Sequence, residues 1–219
     1  MPAAFRNLSR PMEIDCFTGG LFDTNCFFLR DYGILIDAPQ DAATWLEEEG
    51  YPVRTLLLTH GHIDHVWDAA AIRRAHDCRV GYHPEGLPML TTPNFFKQFG
   101  FNWEIEIVPA DFLIEESPAV AIDGLEFQVL HVPGHCPGSL CFFDRKSGIL
   151  FGGDVLFAGS IGRTDLPGGD MALLLEGIRS KLWPLGDDVK VLPGHGPATT
   201  IGTERRTNPF VGESAGLAT

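Results

Sequence analysis

The chain has 219 residues, 44% of them apolar and 21% charged, proportions that suit a globular chain with a substantial core. Its formal net charge of -13 argues against a nucleic-acid surface, which needs clustered Lys and Arg to neutralise phosphate. No apolar run is long enough for a membrane-spanning helix, and Met1 to Met12 lacks the apolar stretch of a signal peptide. Cys16, Cys26, Cys78, Cys136 and Cys141 form no CxxC pair, which fits reduced thiols in a cytoplasmic protein and excludes a zinc ribbon.

In chain order, residues 13–18, 25–30 and 33–37 read as strands, with Gly19-Gly20 and Asp23-Thr24 supplying turn chemistry between the first two. Asp41 is expected to cap a helix over 42–49, closed by Gly50. Residues 55–59 form a buried strand, and a helix is expected from Val66 to about His76. A strand over 79–82 and a short helix near 85–90 follow. Residues 91–116 are the least regular part, with Phe95, Phe96, Phe99, Phe101, Trp103 and Phe112 among prolines and glycines. The stretch from Phe95 to Trp103 could cover a site, form a subunit contact in a homo-oligomer, or be ordinary core packing. Strand pattern returns at 120–122 and 125–131 around the turn Asp123-Gly124, then at 139–143 and 149–151. Asp170 is expected to cap a helix from Met171 to about Trp183. Residues 189–192 are a last buried strand, and 203–206 a short terminal helix. No repeat or linker divides residues 1–219, so one domain of packed sheets with outer helices is expected.

The chemistry concentrates at Thr59-His60-Gly61-His62-Ile63-Asp64-His65, directly after the apolar run Leu56-Leu57-Leu58. In extended backbone, His60 and His62 project to one side and can converge on one ion. Asp64 and His65 lie where the chain turns into a helix and can address a second ion, at the separation of about 3.5–4 Å typical of paired metals. Three more candidate ligands sit beside glycine directly after apolar strands: His135 in Pro133-Gly134-His135, Asp154 in Gly152-Gly153-Asp154, and His195 in Pro193-Gly194-His195-Gly196. Glycine permits the tight turns and close approach needed there. Asp154, as a carboxylate between two cations, can bridge them.

His60-Gly61-His62-Ile63-Asp64-His65 resembles the HxHxDH signature of the metallo-β-lactamase superfamily, with His135, Asp154 and His195 at its remaining ligand positions. The resemblance implies a four-layer αβ/βα sandwich, an α/β fold with the site at one edge between two sheets. It implies a first metal on His60, His62 and His135, a second on Asp64, His65 and His195, and Asp154 shared between them. Residues 153–169 and Thr207-Asn208-Pro209-Phe210 are similar to short bacterial glyoxalase II-like hydrolases, whereas the best-known β-lactamase class has Cys in place of Asp154. The implied activity is hydrolysis of a small-molecule thioester, such as S-lactoylglutathione, by a hydroxide bridging two divalent ions. Zinc is expected first, and the ligands also accept iron or manganese. Asp64 and Asp154 are the expected catalytic carboxylates. Arg163 could meet a substrate carboxylate, or pair with Asp165. His131 is either a packed strand-end histidine or a hydrogen-bond partner of a ligand. Arg205 and Arg206 are expected to be solvated, and Cys136 inert. One rival is a mono-iron persulfide dioxygenase of the same fold, which shares Gly162-Arg163-Thr164-Asp165 and would use His60, His135 and Asp154. Another is a metal-binding module without catalysis.

Overall fold

The computed structural model describes residues 11–93, 95–100, 102, 106–213 and 215. Among them, two six-stranded sheets stack face to face. The first contains β1 (Ile14–Gly19), β2 (Thr24–Leu29), β3 (Ile34–Ile36), β4 (Thr55–Leu57), β5 (Arg79–Tyr82) and β6 (Phe112–Leu113), in sequence order. Hairpins make β1 to β3 antiparallel. The parallel joints from β3 to β6 are bridged by α1 (Ala42–Glu49), by α2 (Ile63–Val66) with α3 (Ala69–His76), and by a segment containing α4 (Leu87–Thr91).

The second sheet comprises β7 (Ser117–Ile122), β8 (Leu125–His131), β9 (Leu140–Asp144), β10 (Ile149–Gly153), β13 (Lys190–Pro193) and β14 (Thr199–Thr200), in the spatial order β14-β13-β10-β9-β8-β7. Only β10 and β13 run parallel, joined by a crossover through α5 (Met171–Gly177). A separate hairpin, β11 (Leu156–Phe157) with β12 (Ser160–Ile161), follows β10, and α6 (Ile201–Thr207) follows β14. The described chain passes from the first sheet to the second once, between Leu113 and Ser117.

Strand alternation builds the layers. On β2, Phe27 and Leu29 face the second sheet, while Cys26 and Phe28 face the first sheet's helices. On β9, Leu140 and Phe142 enter the core between the sheets, and Cys141 and Phe143 pack under α5. Each fully buried Leu, Ile or Phe contributes about 1.5–3 kcal/mol. The result is the expected four-layer αβ/βα sandwich. No helix among the described residues is long and apolar enough to cross a membrane.

Some element boundaries and roles differ from expectation. The helix over 66–76 is two helices, because the chain breaks at Trp67-Asp68, where the Asp68 N–H donates to the Ala38 carbonyl. Asp41 precedes α1 with φ 72° and makes no side-chain cap. Asp68 supplies it instead, its Oδ2 accepting from the Ala43 N–H at 2.9 Å. Asp170 does cap α5 through the Leu173 N–H, but the α-helix ends at Gly177 and continues as a π turn over Ile178–Leu182 and a 3-10 turn over Trp183–Leu185. Phe101 and Trp103 lie outside the described residues, and Phe95 packs against Ile63, Met89 and Cys136.

Candidate metal centre

The seven candidate ligands converge on one edge of the sandwich, at the C-terminal ends of strands. His60 follows β4. His62 sits in extended backbone at the N-terminus of α2, and Asp64 and His65 occupy that helix's only turn. His135 lies on the loop after β8, Asp154 directly follows β10, and His195 follows β13. The same edge ties the sheets together. Thr24 bridges His195, the Asn25 N–H donates to the Gly194 carbonyl at 2.7 Å, and the Leu140 N–H donates to the Thr59 carbonyl at 2.8 Å.

The residues form two trios. His60 Nε2 and His62 Nδ1 lie 3.2 and 2.7 Å from His135 Nε2. Asp64 Oδ2 lies 3.2 Å from His195 Nε2, which is 3.4 Å from His65 Nε2. Asp154 stands between the trios, with Oδ2 3.5 Å from His135 Nε2 and 3.3 Å from His195 Nε2. Its Oδ1 is 3.1 Å from His65 Nε2 without the alignment of a hydrogen bond, and no other group satisfies it. A buried carboxylate oxygen left without a hydrogen-bond donor, beside imidazole nitrogens that face one another, fits divalent cations at both trios. Glycine at 194 is required for this approach. A Cβ there would overlap Asp154 Oδ1 and lie 2.6 Å from His65 Cε1.

Electrostatics separate the trios. Burial pushes His60 well below the ordinary histidine pKa, takes His62 down to about 3 with His135 adding to the effect, and lowers His135. These rings stay neutral and keep a lone pair for a metal. Burial acts the same way on His65 and His195, but neighbouring carboxylates win. Asp154, Asp37 and Asp64 hold His65 well above its ordinary value, and Asp154 and Asp64 bring His195 up to about 10. Against burial, His65 and His195 in turn keep Asp154 and Asp64 below the usual carboxylate range.

Further residues orient the rings. Buried Asp37, at the end of β3 with φ 62°, accepts from the Thr59 N–H through Oδ1, and from Thr59 Oγ1 and His65 Nδ1 through Oδ2, each at 2.8 Å. Since Thr59 Oγ1 donates to Asp37, it accepts from His60 Nδ1 at 3.0 Å. His135 Nδ1 donates to the Arg163 carbonyl at 2.8 Å and His195 Nδ1 to the Phe22 carbonyl at 2.9 Å. In all four rings the Nδ1 proton is occupied, which turns Nε2 inward toward the site. Thr24 Oγ1 donates to Asp64 Oδ2 at 2.9 Å. No spacing in the sequence points to Asp37, Thr24 or Phe22, because each acts from a distant strand end.

The other candidates are placed as follows. The Arg163 guanidinium is exposed and paired bidentately with Asp165, at 2.7 and 2.8 Å. His131 reaches no ligand. Its Nε2 donates to the Pro137 carbonyl at 2.6 Å, and its ring stacks on His83 with centroids 3.9 Å apart. With Glu85 these two histidines form a further cluster. Their near-parallel rings send in-plane lone pairs side by side, whereas His60, His62 and His135 meet at 81–87° and converge. Cys136 is buried, and burial raises its thiol to about 11, as an inert thiol requires. Arg205 and Arg206 are not simply solvated, since both pair with Asp187.

The family model of the metallo-β-lactamase superfamily matches residues 19–195. Hydroxyacylglutathione hydrolase GloC of Haemophilus influenzae is 36% identical over 208 residues, covering 91% of this chain and 98% of that one. The crystal structure of BLEG-1 B3 metallo-β-lactamase superposes with a TM-score of 0.84 at 38% identity, covering 91% of this chain and 99% of that one. TTHA1623 in a di-iron-bound form superposes with a TM-score of 0.78 at 36% identity, covering 90% and 99%. With a two-sheet sandwich, a site at its edge and a match spanning both trios, the chain belongs to the metallo-β-lactamase superfamily.

Proposed function

We propose that this chain, acting as one domain over residues 1–219, is a metal-dependent hydrolase that cleaves a small-molecule thioester. The observation that carries the reading is the pair of facing trios with Asp154 between them. His60, His62 and His135 would hold one divalent ion, Asp64, His65 and His195 a second, and Asp154 would reach both. Bound there, the ions supply a Lewis acid for the substrate carbonyl and a water that deprotonates near neutral pH. Zinc suits this nitrogen and oxygen donor set, and the di-iron form of TTHA1623 supports iron as the alternative.

The protein's own groups do the rest. Asp64, held by Thr24, accepts a hydrogen bond from the attacking water and aims its oxygen at the carbonyl. Asp37, Thr59 and the carbonyls of Phe22 and Arg163 keep four imidazoles from rotating as charge moves across the site. The leaving thiol has an ordinary pKa of about 8.5, so it departs as thiolate without prior protonation. Leu21, 80% exposed, and Phe22, 46% exposed, line a small cleft with Asp64, and Phe157 meets His195 edge-on at 5.9 Å. This apolar rim suits the hydrocarbon part of an acyl or thiol group. Arg163 would meet a substrate carboxylate by exchanging it for Asp165.

Likeness to the Haemophilus influenzae hydrolase supports a hydroxyacyl thioester of glutathione as substrate class. Likeness to BLEG-1 favours a second reading, opening of a β-lactam ring at the same centre. The test combines metal analysis of the purified protein with thiol release from S-lactoylglutathione, oxygen uptake with glutathione persulfide, and turnover of a chromogenic cephalosporin. Two ions per chain with thiol release, no oxygen uptake and slow or absent cephalosporin turnover are expected. One iron per chain with oxygen uptake and no thiol release would replace the proposal by a persulfide dioxygenase.

A further inference from the structure

The β11–β12 hairpin belongs to neither large sheet, yet it reaches ligands of both trios. Asp154 lies two residues before it, and the Asp154 carbonyl packs against Gly162, where a Cβ would overlap that oxygen. Arg163, two residues after it, accepts the Nδ1 proton of His135 at 2.8 Å. Phe157 within it packs edge-on against His195. A shift of this ribbon would therefore displace a ring of each trio together with the shared carboxylate.

A two-stranded ribbon is marginal in water by itself. This one is fastened at its tip by α6. Glu204, 1% exposed, accepts from the Gly159 N–H at 2.9 Å and from Asn208 Nδ2 at 2.8 Å through Oε2, and from Thr199 Oγ1 at 2.5 Å through Oε1. Asn208, fully buried and one helical turn further, donates from Nδ2 to the Ser160 carbonyl at 2.9 Å. Its Oδ1 accepts from the N–H groups of Phe210 and Val211. A buried carboxylate is costly unless donors satisfy it, and here they come both from the hairpin tip and from the β14–α6 segment. Neither side chain touches a candidate ligand.

We propose that Glu204 and Asn208 are positioning residues of the metal centre, acting through the β11–β12 hairpin. The inference rests on the reading that the two trios hold divalent ions. Fixing the hairpin tip fixes the Arg163 carbonyl and the backbone of Asp154, and with them the direction of one imidazole and one carboxylate.

The test measures zinc affinity by competition with a chelator, and the visible spectrum of the cobalt(II)-substituted protein, for wild type, Glu204→Ala, Glu204→Gln and Asn208→Ala. Arg206→Ala is the control, since it perturbs α6 on its Asp187 side and away from the hairpin. Glu204→Ala is expected to weaken zinc binding about tenfold or more, the scale of losing a group that orients a ligand, and to change the cobalt bands. Glu204→Gln should recover most of the affinity, because its amide oxygen can still accept from Gly159 and Asn208 while its NH2 faces a rotated Thr199 hydroxyl. Arg206→Ala should leave affinity and spectrum unchanged. If Glu204→Ala does not fold, Asn208→Ala carries the same readout. Variants with a lower Tm but wild-type affinity and spectrum would overturn the inference. A wild-type cobalt spectrum that ignores His60→Ala would remove the metal-centre reading and this inference with it. A spectrum that responds to His60→Ala but to neither Glu204→Ala nor Asn208→Ala would remove this inference alone.

Discussion

Asp154 and Asp37 are both buried carboxylates near His65, but they serve it from opposite sides. Asp37 fills its acceptor positions with three protein donors, while Asp154 leaves one oxygen without any hydrogen-bond donor. The difference predicts a graded response. Asp154→Ala should lower metal content and abolish hydrolysis, because it removes the group facing both trios. Asp37→Ala should fold and weaken metal affinity by about 10–100-fold, the usual effect of losing a partner that orients a ligand. Metal stoichiometry and chelator competition on the two variants check this, and full activity of Asp154→Ala would refute its bridging role. All seven candidate ligands are legible in the sequence, because each sits beside glycine or within one short motif at a strand end. Their supports are not. Asp37, Thr24 and the Phe22 carbonyl become neighbours of the site only when strands far apart in sequence end at the same edge.

At the scale of elements, apolar runs and turn residues mark the long strands and the amphipathic helices. Interruptions set by tertiary bonds stay hidden. The break between α2 and α3 follows from Asp68, whose N–H meets the Ala38 carbonyl and whose carboxylate caps α1 from outside that helix. Asp41 sits in the favourable sequence position for a cap, but its left-handed backbone turns its side chain away. Asp68→Ala should therefore cost about 1 kcal/mol, the usual loss for an N-cap, whereas Asp41→Asn, which keeps a side chain suited to the left-handed backbone, should cost much less. Chemical denaturation of the two variants separates them, and equal losses would show that α1 has no cap in trans. The two-residue strands β6, β11, β12 and β14 escape pattern reading because two residues carry no period.

For the molecule as a whole, ions at the shared edge would staple the sheets. At a free-ion concentration about 1,000 times Kd, binding adds about 4 kcal/mol, which for a chain of this size raises Tm by roughly 10 °C. Removing metal with a chelator should lower Tm by that order. The size of the drop should depend on pH. In the metal-free protein His195 titrates near 10 against an ordinary value near 6.5, so the stability from its charged contacts is complete below about 6.5 and fades as pH rises through 10. An ion must displace that proton, and the one on His65, so ion binding strengthens as pH rises. The gap in Tm between metal-loaded and metal-free protein should widen from pH 6 to pH 9, and calorimetry at fixed free zinc measures it. A gap that narrows would mean that ion binding takes up protons instead of displacing them from His65 and His195. The single crossing between the sheets also fixes an order of events during synthesis. His60, His62, Asp64 and His65 leave the ribosome with the first sheet, and His135, Asp154 and His195 follow with the second. Neither trio is complete within one half, and His195 comes after the second sheet's last long strand. If the two trios hold ions as proposed, a nascent chain could not complete either ligand set until both layers exist, and metal loading would be a late step of biogenesis.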